Sequence, residues 1–169
     1  EAVFTVIGSV GLQGIRLLNC SFGETVYVFG LGLIGLISIQ ILKESGCRVI
    51  GVDIDDDKIN LAKDFGVEAI NSNNIDVLAH SKNLTNGNGV DGVLITASSP
   101  NNEILTLSAQ ISRMRGKIVL VGVIDIQIDR SLFYEKELTF QVSCSYGPGR
   151  YDNIYESGND YPFGFVRWT

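Results

Sequence analysis

Short apolar runs recur along the chain and are separated by longer segments of mixed polarity. Runs of four to eight residues rich in Val, Ile, Leu and Phe are typical of strands covered on both faces of a parallel sheet. On this pattern we predict strands at Thr25–Gly30, Arg48–Asp53, Glu68–Asn71, Val90–Ala97, Lys117–Val123 and Leu138–Cys144.

Between the apolar runs, hydrophobic residues are spaced three or four positions apart, as on one face of a helix. Asp55 or Asp56 can cap one such helix, and Gly66 follows it where chains commonly leave a helix. The spacing predicts helices at Leu33–Ser45, Lys58–Phe65, Ile75–Leu84 and Asn101–Met114, with a helical pattern toward the end of Glu1–Asn19.

Regular alternation of strands and helices predicts an α/β fold with a doubly wound parallel sheet of the Rossmann type. The natural strand order is 3-2-1-4-5-6, and a ligand is expected where this order reverses, beside Gly30. We assign residues 1–145 to one domain of this type. Residues 146–169, rich in Gly, Tyr and Asp, are expected to connect to a missing domain.

The first predicted strand runs into a glycine motif, Gly30-Leu-Gly32-Leu-Ile-Gly35, and Asp53 follows 23 positions after Gly30. Gly30 permits the tight turn, Gly32 lets a pyrophosphate approach the backbone, and Gly35 lets the helix pack on the strand. Asp53 can accept hydrogen bonds from both ribose hydroxyls and repel a 2′-phosphate, which favours NAD over NADP. The alternative is a glycine turn beside a solvated aspartate.

Composition narrows the class of protein. The 169 residues carry a net charge of −6, which argues against nucleic acid or an anionic membrane as a partner. Cys20, Cys47 and Cys144 lack metal-site spacing and are expected to be reduced thiols in the cytoplasm. The single histidine, His80, lies in a polar helix and is predicted to be a surface residue. We find no signal peptide or membrane-spanning segment in the sequence.

Four segments resemble the medium-chain dehydrogenase/reductases, which include the zinc alcohol dehydrogenases. They are Gly23–Gly35, Gly51–Gly66, Gly92–Ala97 and Gly116–Val123. The resemblance implies that NAD is the cofactor and that the backbone around the glycine motif and Asp53 contacts it. The implied cofactor-binding residues are Gly30, Gly32, Leu33, Ile34, Gly35, Asp53, Ile54, Lys58, Thr96, Ala97, Val121, Gly122 and Val123.

The resemblance gives these residues different roles. Lys58 matches a lysine beside the adenosine ribose, although it could equally be a solvated lysine paired with an aspartate. Thr96 and Ala97 match positions along the two riboses. Val121, Gly122 and Val123 match backbone that holds the nicotinamide carboxamide, and their side chains can also be plain sheet core.

A closer likeness is to bacterial bi-domain oxidoreductases, in which a second, Gfo/Idh/MocA-type half is fused to this one. Phe133–Leu138, Ser143–Asp152 and Asp160–Thr169 carry it, and it implies a sugar-related substrate. The start of the chain departs from the zinc enzymes, because it offers Glu1 but no Cys or His as a metal ligand. We therefore predict no metal site, and no general acid or base can be assigned.

Two functions remain open on the sequence. The first is the NAD-binding half of an oxidoreductase that transfers a hydride to or from an alcohol or carbonyl carbon, inactive on its own. The second is a non-catalytic nucleotide-sensing or assembly module, and a methyltransferase-type fold is a variant of it. The resemblance also implies a homodimer through the edge strand 138–144, because strands of two subunits often pair there in this family.

Overall fold

A computed structural model of the chain describes residues 2–158. Glu1, the single metal-ligand candidate, and residues 159–169 of the expected connector lie outside the described residues. The strands are β1 (Thr25–Phe29), β2 (Arg48–Asp53), β3 (Glu68–Asn71), β4 (Val90–Ile95), β5 (Ser98–Ser99), β6 (Ser112–Leu120), β7 (Val123–Ile124) and β8 (Thr139–Val142). The helices are α1 (Thr5–Leu18), α2 (Leu33–Glu44), α3 (Asp56–Asp64), α4 (Val77–Leu84), α5 (Glu103–Ile111), α6 (Arg130–Lys136) and α7 (Asn153–Ser157).

Six strands form one parallel sheet in the order β3-β2-β1-β4-β6-β8. The two-residue strands β5 and β7 pair separately as a short parallel ribbon. Without the ribbon strands, the order is the predicted 3-2-1-4-5-6. The doubly wound α/β fold predicted from the sequence is therefore confirmed.

Each face of the sheet is covered by helices. Val26 and Val28 of β1 belong to the core beneath α1, α2 and α3, whereas Tyr27 and Phe29 belong to the core beneath α4, α5 and α6. All four side chains are buried, which explains why β1 is an unbroken apolar run.

Helix α5 ends at Ile111, and the predicted helical end at Met114 is wrong. Lys136 of α6 donates hydrogen bonds to the carbonyl oxygens of Ala109 (2.9 Å), Gln110 (2.7 Å) and Ser112 (2.8 Å). This ammonium group satisfies carbonyls that a helix end leaves without partners, so the chain turns into β6 at Ser112. Burial lowers the pKa of Lys136, and nearby Lys82 lowers it further.

The predicted ends of two strands are also wrong, because β4 stops at Ile95 and β6 stops at Leu120. The N–H groups of Val121 (2.8 Å) and Gly122 (2.9 Å) both donate to the carbonyl oxygen of Ile95. One acceptor shared by two donors interrupts the ladder. The chain then resumes pairing two residues later, as the β5–β7 ribbon.

Smaller differences concern the ends of the chain. A 3₁₀ turn at Ala2–Phe4 precedes α1, and helix α6 is absent from the predicted elements. The edge strand β8 covers Thr139–Val142, which is shorter than the predicted Leu138–Cys144. In the part of the chain that the structure describes, every helix is too short or too polar to cross a membrane.

Side-chain contacts fasten the edge of the sheet at which its strands begin, here called the amino edge. The Tyr27 hydroxyl lies 2.6 Å from Nδ1 of His80, whose Nε2 lies 3.1 Å from Glu68. His80 was predicted to be a surface residue, and its side chain is partly buried, with 20 % exposed. Burial raises the pKa of Tyr27, which is fully enclosed.

Asp91, at the start of β4, makes a second set of contacts at the amino edge. Its carboxylate accepts hydrogen bonds from the Thr25 N–H (2.7 Å) and from Nε of Arg113 (2.6 Å). Cys20 and Cys47 lie nearby as free thiols, and burial raises the pKa of Cys20 to about 12. The amino edge is therefore closed by side chains bonded to each other.

Candidate cofactor-binding site

The opposite edge, where the strands end and which we call the carboxyl edge, holds an open pocket of about 670 Å³. It lies beside β1, where the strand order reverses, as expected for ligands of such sheets. Of the predicted residues, those that line it are Gly30, Gly32, Asp53, Ile54, Lys58, Thr96 and Ala97.

Gly30 makes the turn from β1 toward α2. Its φ of +93° lies in the region that favours glycine, and a Cβ there would come within 2.5 Å of the Ala97 backbone nitrogen. Gly35 packs so closely that a Cβ on it would collide with the carbonyl oxygen of Gly30. The Thr96 hydroxyl donates toward that same oxygen (2.5 Å), so the turn is fixed from both sides.

Gly32 contributes open space. It is the N-cap of α2, no side chain caps the helix, and a Cβ built on it meets no atom within 4 Å. The first N–H groups of the helix, beginning with Leu33 and Ile34, have no partner inside the helix, and the helix dipole is positive there. An anion such as a pyrophosphate fits this place without displacing any group.

Asp53 closes the pocket at the end of β2, and its side chain is only 8 % exposed. One carboxylate oxygen accepts hydrogen bonds from the N–H groups of Ile54 (2.8 Å) and Asp55 (3.1 Å). The other accepts one from the Leu31 N–H (2.6 Å). A carboxylate has about four acceptor positions, so roughly one remains for a ribose hydroxyl instead of the two suggested by the sequence.

Lys58 brings a positive charge to the pocket. Its Nζ lies 3.8 Å from Asp53 and 3.5 Å from Asp55, and the side chain is half exposed. Both interpretations of Lys58 are therefore compatible with the geometry, because a lysine paired with Asp53 also stands beside the ribose position. The exposed side chain of Ile54 forms an apolar wall of the pocket next to it.

The remaining predicted residues lie outside the pocket lining. The side chain of Leu33 lies in a separate groove on the outer face of α2. Val121 packs into the core against Gly14, and a Cβ on Gly122 would collide with the carbonyl oxygen of Ala97. Val123 is exposed in the β5–β7 ribbon. For Val121 to Val123 a role in holding a nicotinamide stays a prediction.

The structure adds pocket residues that sequence reasoning missed. They are mostly polar, and they follow the ends of β3 and β4: Ser72, Asn73, Ser98, Ser99, Asn101 and Glu103. Their position directly after predicted strands was a usable signal, since carboxyl ends of parallel strands meet at one edge. Four of them fall between predicted elements, whereas Asn101 and Glu103 fall in the predicted helix Asn101–Met114.

A metal centre would need a cluster of ligand side chains. Among residues 2–158, no three His, Cys, Asp or Glu side chains cluster as metal ligands would. Cys20 and Cys47 lie at the amino edge, far from the pocket in the fold, and Cys144 follows β8. The described residues therefore do not fit a zinc ion.

The fold and the pocket define a Rossmann-type domain of the kind found in oxidoreductases. The comparisons with known proteins agree, and the chain belongs to the zinc-binding dehydrogenase family, whose sequence pattern matches residues 34–157. This family lies within the medium-chain dehydrogenases that the sequence resembles. The fused Gfo/Idh/MocA-type half stays a prediction.

Three similar proteins illustrate the relationship. A D-xylulose reductase from Scheffersomyces stipitis is 30 % identical over 90 % of this chain and 44 % of its own length. An NAD-dependent alcohol dehydrogenase from Sulfurisphaera tokodaii is 28 % identical over 82 % of this chain and 41 % of its own. A zinc-binding dehydrogenase from Sinorhizobium meliloti, solved bound to NADP, has a TM-score of 0.75 and 25 % identity over 83 % of this chain and 43 % of its own. The chain thus spans less than half the length of these relatives.

Proposed function

We propose that this chain is the NAD-binding domain of an oxidoreductase that moves a hydride between a nicotinamide cofactor and an alcohol or carbonyl carbon. The observation that carries the proposal is the open position at Gly32, beside the α2 N-terminus, with Asp53 at the tip of β2. A bound nicotinamide would supply the hydride chemistry. The residues of this chain would hold the pyrophosphate and the adenosine ribose.

Charge in the pocket supports NAD over NADP. A 2′-phosphate on the adenosine ribose would approach Asp53, and Lys58, the one basic side chain among the described lining residues, already lies 3.8 Å from Asp53 and 3.5 Å from Asp55. A negatively charged 2′-phosphate would be repelled by a carboxylate a few ångströms away, and the repulsion is stronger when that carboxylate is buried. One relative is bound to NADP, so the preference has to be measured on this chain.

Calorimetric titration with NAD and NADP tests the proposal. We expect NAD to bind and NADP to bind about tenfold more weakly or worse, a difference of about 1.4 kcal/mol. Asp53→Asn removes the charge and keeps one acceptor oxygen, so it should narrow the difference between the cofactors. Asp91→Asn, the same substitution at the amino edge, should leave the difference between the cofactors unaltered. Failure of both cofactors to bind at millimolar concentration would contradict the proposal.

We propose that the substrate is a small alcohol or carbonyl compound of the sugar or sugar-nucleotide class. The matched D-xylulose reductase and the resemblance to bi-domain oxidoreductases support this class. Groups that bind the substrate and exchange its proton would lie outside residues 2–158, so the chain alone should bind cofactor without turnover. Cofactor binding without turnover in the full-length polypeptide would favour the sensing module instead.

We also propose a homodimer through the edge strand 138–144. Strand β8 pairs with β6 along one side, and its other side has no partner strand within residues 2–158. Val142 is 55 % exposed there, and β8 contains no proline that would block pairing. Light scattering should give a dimer mass, and Val142→Lys should shift it toward the monomer; a monomeric wild type would contradict the proposal.

A further inference from the structure

Asn71, the last residue of β3, is a buried polar residue beside the cofactor pocket. It is only 8 % exposed, and it pairs in the sheet with Asp53 at the tip of β2. Asn71 does not line the pocket, whereas the two residues that follow it, Ser72 and Asn73, do. A side-chain amide is costly to bury unless its hydrogen bonds are made, so the contacts of Asn71 indicate what it is there to hold.

The Asn71 amide uses both of its donors and its acceptor. Nδ2 donates to the carbonyl oxygen of Ile54 (3.1 Å) and to the carboxylate of Asp56 (2.7 Å). Oδ1 accepts a hydrogen bond from the Asn73 N–H (2.9 Å). One side chain therefore ties together the segment after β2, the first turn of α3 and the turn after β3.

Two of these bonds lead to residues of the pocket lining. The side chain of Ile54 is 66 % exposed in the pocket wall, so packing does little to fix its position. Its main chain is held instead, because its N–H donates to Asp53 (2.8 Å) and its carbonyl oxygen accepts from Asn71. Asn73 is also exposed, and Asn71 fixes its backbone N–H. Without the Asn71 amide, both lining residues would lose a main-chain anchor.

We propose that Asn71 is a positioning residue for the adenosine end of the cofactor, and that it acts through Ile54 and Asn73 without touching the ligand. The inference rests on the proposed function, in which Asp53 binds the adenosine ribose. Ile54 directly follows Asp53, and the turn that contains Asn73 is tied to the Asp53 carbonyl oxygen by the Ser72 N–H (3.0 Å). Both lining residues therefore border the place of that ribose, and displacing them weakens the contacts that the adenosine half makes.

Asn71→Asp tests the inference, because it keeps the shape of the side chain and removes both donors. The new carboxylate would face the Ile54 carbonyl oxygen and the Asp56 carboxylate, and repulsion should push both away. We expect calorimetry on the folded variant to give affinities for NAD and for AMP that fall by the same factor, about tenfold, since AMP carries the adenosine end and no nicotinamide. Asn102→Asp is the matched control. It adds the same charge at another amide, which donates to the Gln127 carbonyl oxygen (3.1 Å), and it should leave the AMP affinity unchanged.

A double variant separates positioning of the pocket wall from a general weakening of the fold. Asn71→Asp combined with Asp56→Asn restores a donor and an acceptor between these two side chains, so the thermal midpoint should recover toward that of the wild type. The Ile54 carbonyl oxygen still lacks the donor that Asn71 supplied, so the AMP affinity should stay low. Asn71→Ser, which removes both amide donors without adding a charge, replaces Asn71→Asp if that variant does not fold.

Two results would overturn the inference. An unchanged AMP affinity in the folded Asn71→Asp variant would show that the pocket wall does not depend on this amide. Full recovery of AMP affinity in the double variant would assign the effect to the start of α3 instead of to Ile54. In both cases NAD binding by the wild type leaves the proposed function standing, whereas a wild type that binds neither NAD nor AMP removes the proposed function, and the inference falls with it.

Discussion

The amino edge and the carboxyl edge of the sheet differ in the chemical groups that form them. At the amino edge, side chains satisfy one another: Asp91 holds Arg113 and the Thr25 N–H, and Tyr27 holds His80. At the carboxyl edge, glycines, short polar side chains and several apolar side chains surround an open pocket. The amino edge has its polar groups already paired, whereas the carboxyl edge offers N–H groups to a ligand.

Because of this difference, we expect different residues to determine the stability of the fold and its affinity for the cofactor. Substitutions at the amino edge should change the free energy of unfolding and leave cofactor affinity alone. At the carboxyl edge, glycines that touch backbone should affect both properties, and a glycine that touches nothing should affect binding alone. The variants below test this separation, in order of decreasing expected effect.

Gly35→Val should have the largest effect. Its side chain would be driven into the Gly30 carbonyl oxygen, and overpacking of this kind costs about 3 kcal/mol of unfolding free energy. Cofactor binding should be lost with it. Urea unfolding and calorimetry measure the two quantities.

Gly32→Ala is the matched control for that variant. A Cβ at Gly32 meets open space, so we expect a stability change within about 0.5 kcal/mol. NAD affinity should nevertheless fall about tenfold or more, because the Cβ would occupy the place of the pyrophosphate. Unchanged NAD affinity would show that the pyrophosphate does not approach Gly32.

Lys136→Met should come next, with a loss of about 2 kcal/mol. The substitution keeps most of the aliphatic stem and removes a charged donor from three carbonyl oxygens at the end of α5. Urea unfolding measures the loss, and the NAD affinity should stay the same. Lys63→Met, at the end of α3, provides a comparison without such a cap; an equal loss there would mean that the carbonyl contacts are unimportant.

Tyr27→Phe should cost about 1 kcal/mol, the usual net value of a hydrogen bond, with no change in NAD affinity. The variant should also differ from the wild type at high pH. Because the folded-state pKa of Tyr27 is raised above its ordinary value of 10.0, the tyrosine contributes stability that is present below that value and lost as the pH rises through the folded-state pKa. Unfolding of wild type and variant between neutral pH and pH 11 measures the difference; parallel curves would contradict the assignment.

Asp55→Asn should have the smallest effect. Asp55 caps α3 by accepting a hydrogen bond from the Asp57 N–H (3.0 Å), and this bond, followed by the contact with Lys58, lowers its pKa. A lowered pKa stabilises the fold above the ordinary value of 3.8, and the contribution is lost as the pH falls through the folded-state pKa. The thermal midpoint of the wild type should therefore slightly exceed that of the variant at pH 7, and the gap should close in acid. Asp76→Asn, which makes the same change in another helix-capping side chain, is the control variant for Asp55→Asn.

Local patterns predicted the parts of the fold that local forces decide. Strands β2 and β3 have the predicted bounds, and Asp55, one of the two predicted candidates, caps α3, which begins at Asp56 instead of the predicted Lys58. The end of α5 escaped prediction because Lys136, more than twenty residues away in sequence, provides its cap. The partial burial of His80 was not predicted for a related reason, since its partner Tyr27 lies on a strand that only the fold brings near.

The pocket residues likewise divide into those that a local sequence pattern predicts and those that it does not. Gly30, Gly32 and Asp53 follow from a spacing with a mechanical reason, and all three line the pocket. Asn101 and Glu103 line it just after the short strand β5, which pairs with β7 in the ribbon. Ahead of the ribbon, two N–H groups share the Ile95 carbonyl oxygen, an arrangement that no sequence pattern announces.

The bond from the Leu31 N–H to Asp53 has a consequence for protein engineering. The carboxylate that would choose between cofactors is also the acceptor that holds the glycine turn in shape. Cofactor choice and turn geometry therefore depend on the same side chain. Replacing Asp53 with a small neutral residue would change both together. A switch toward NADP in this scaffold will need a compensating acceptor for the Leu31 amide, supplied at the same time as the new phosphate-binding cation.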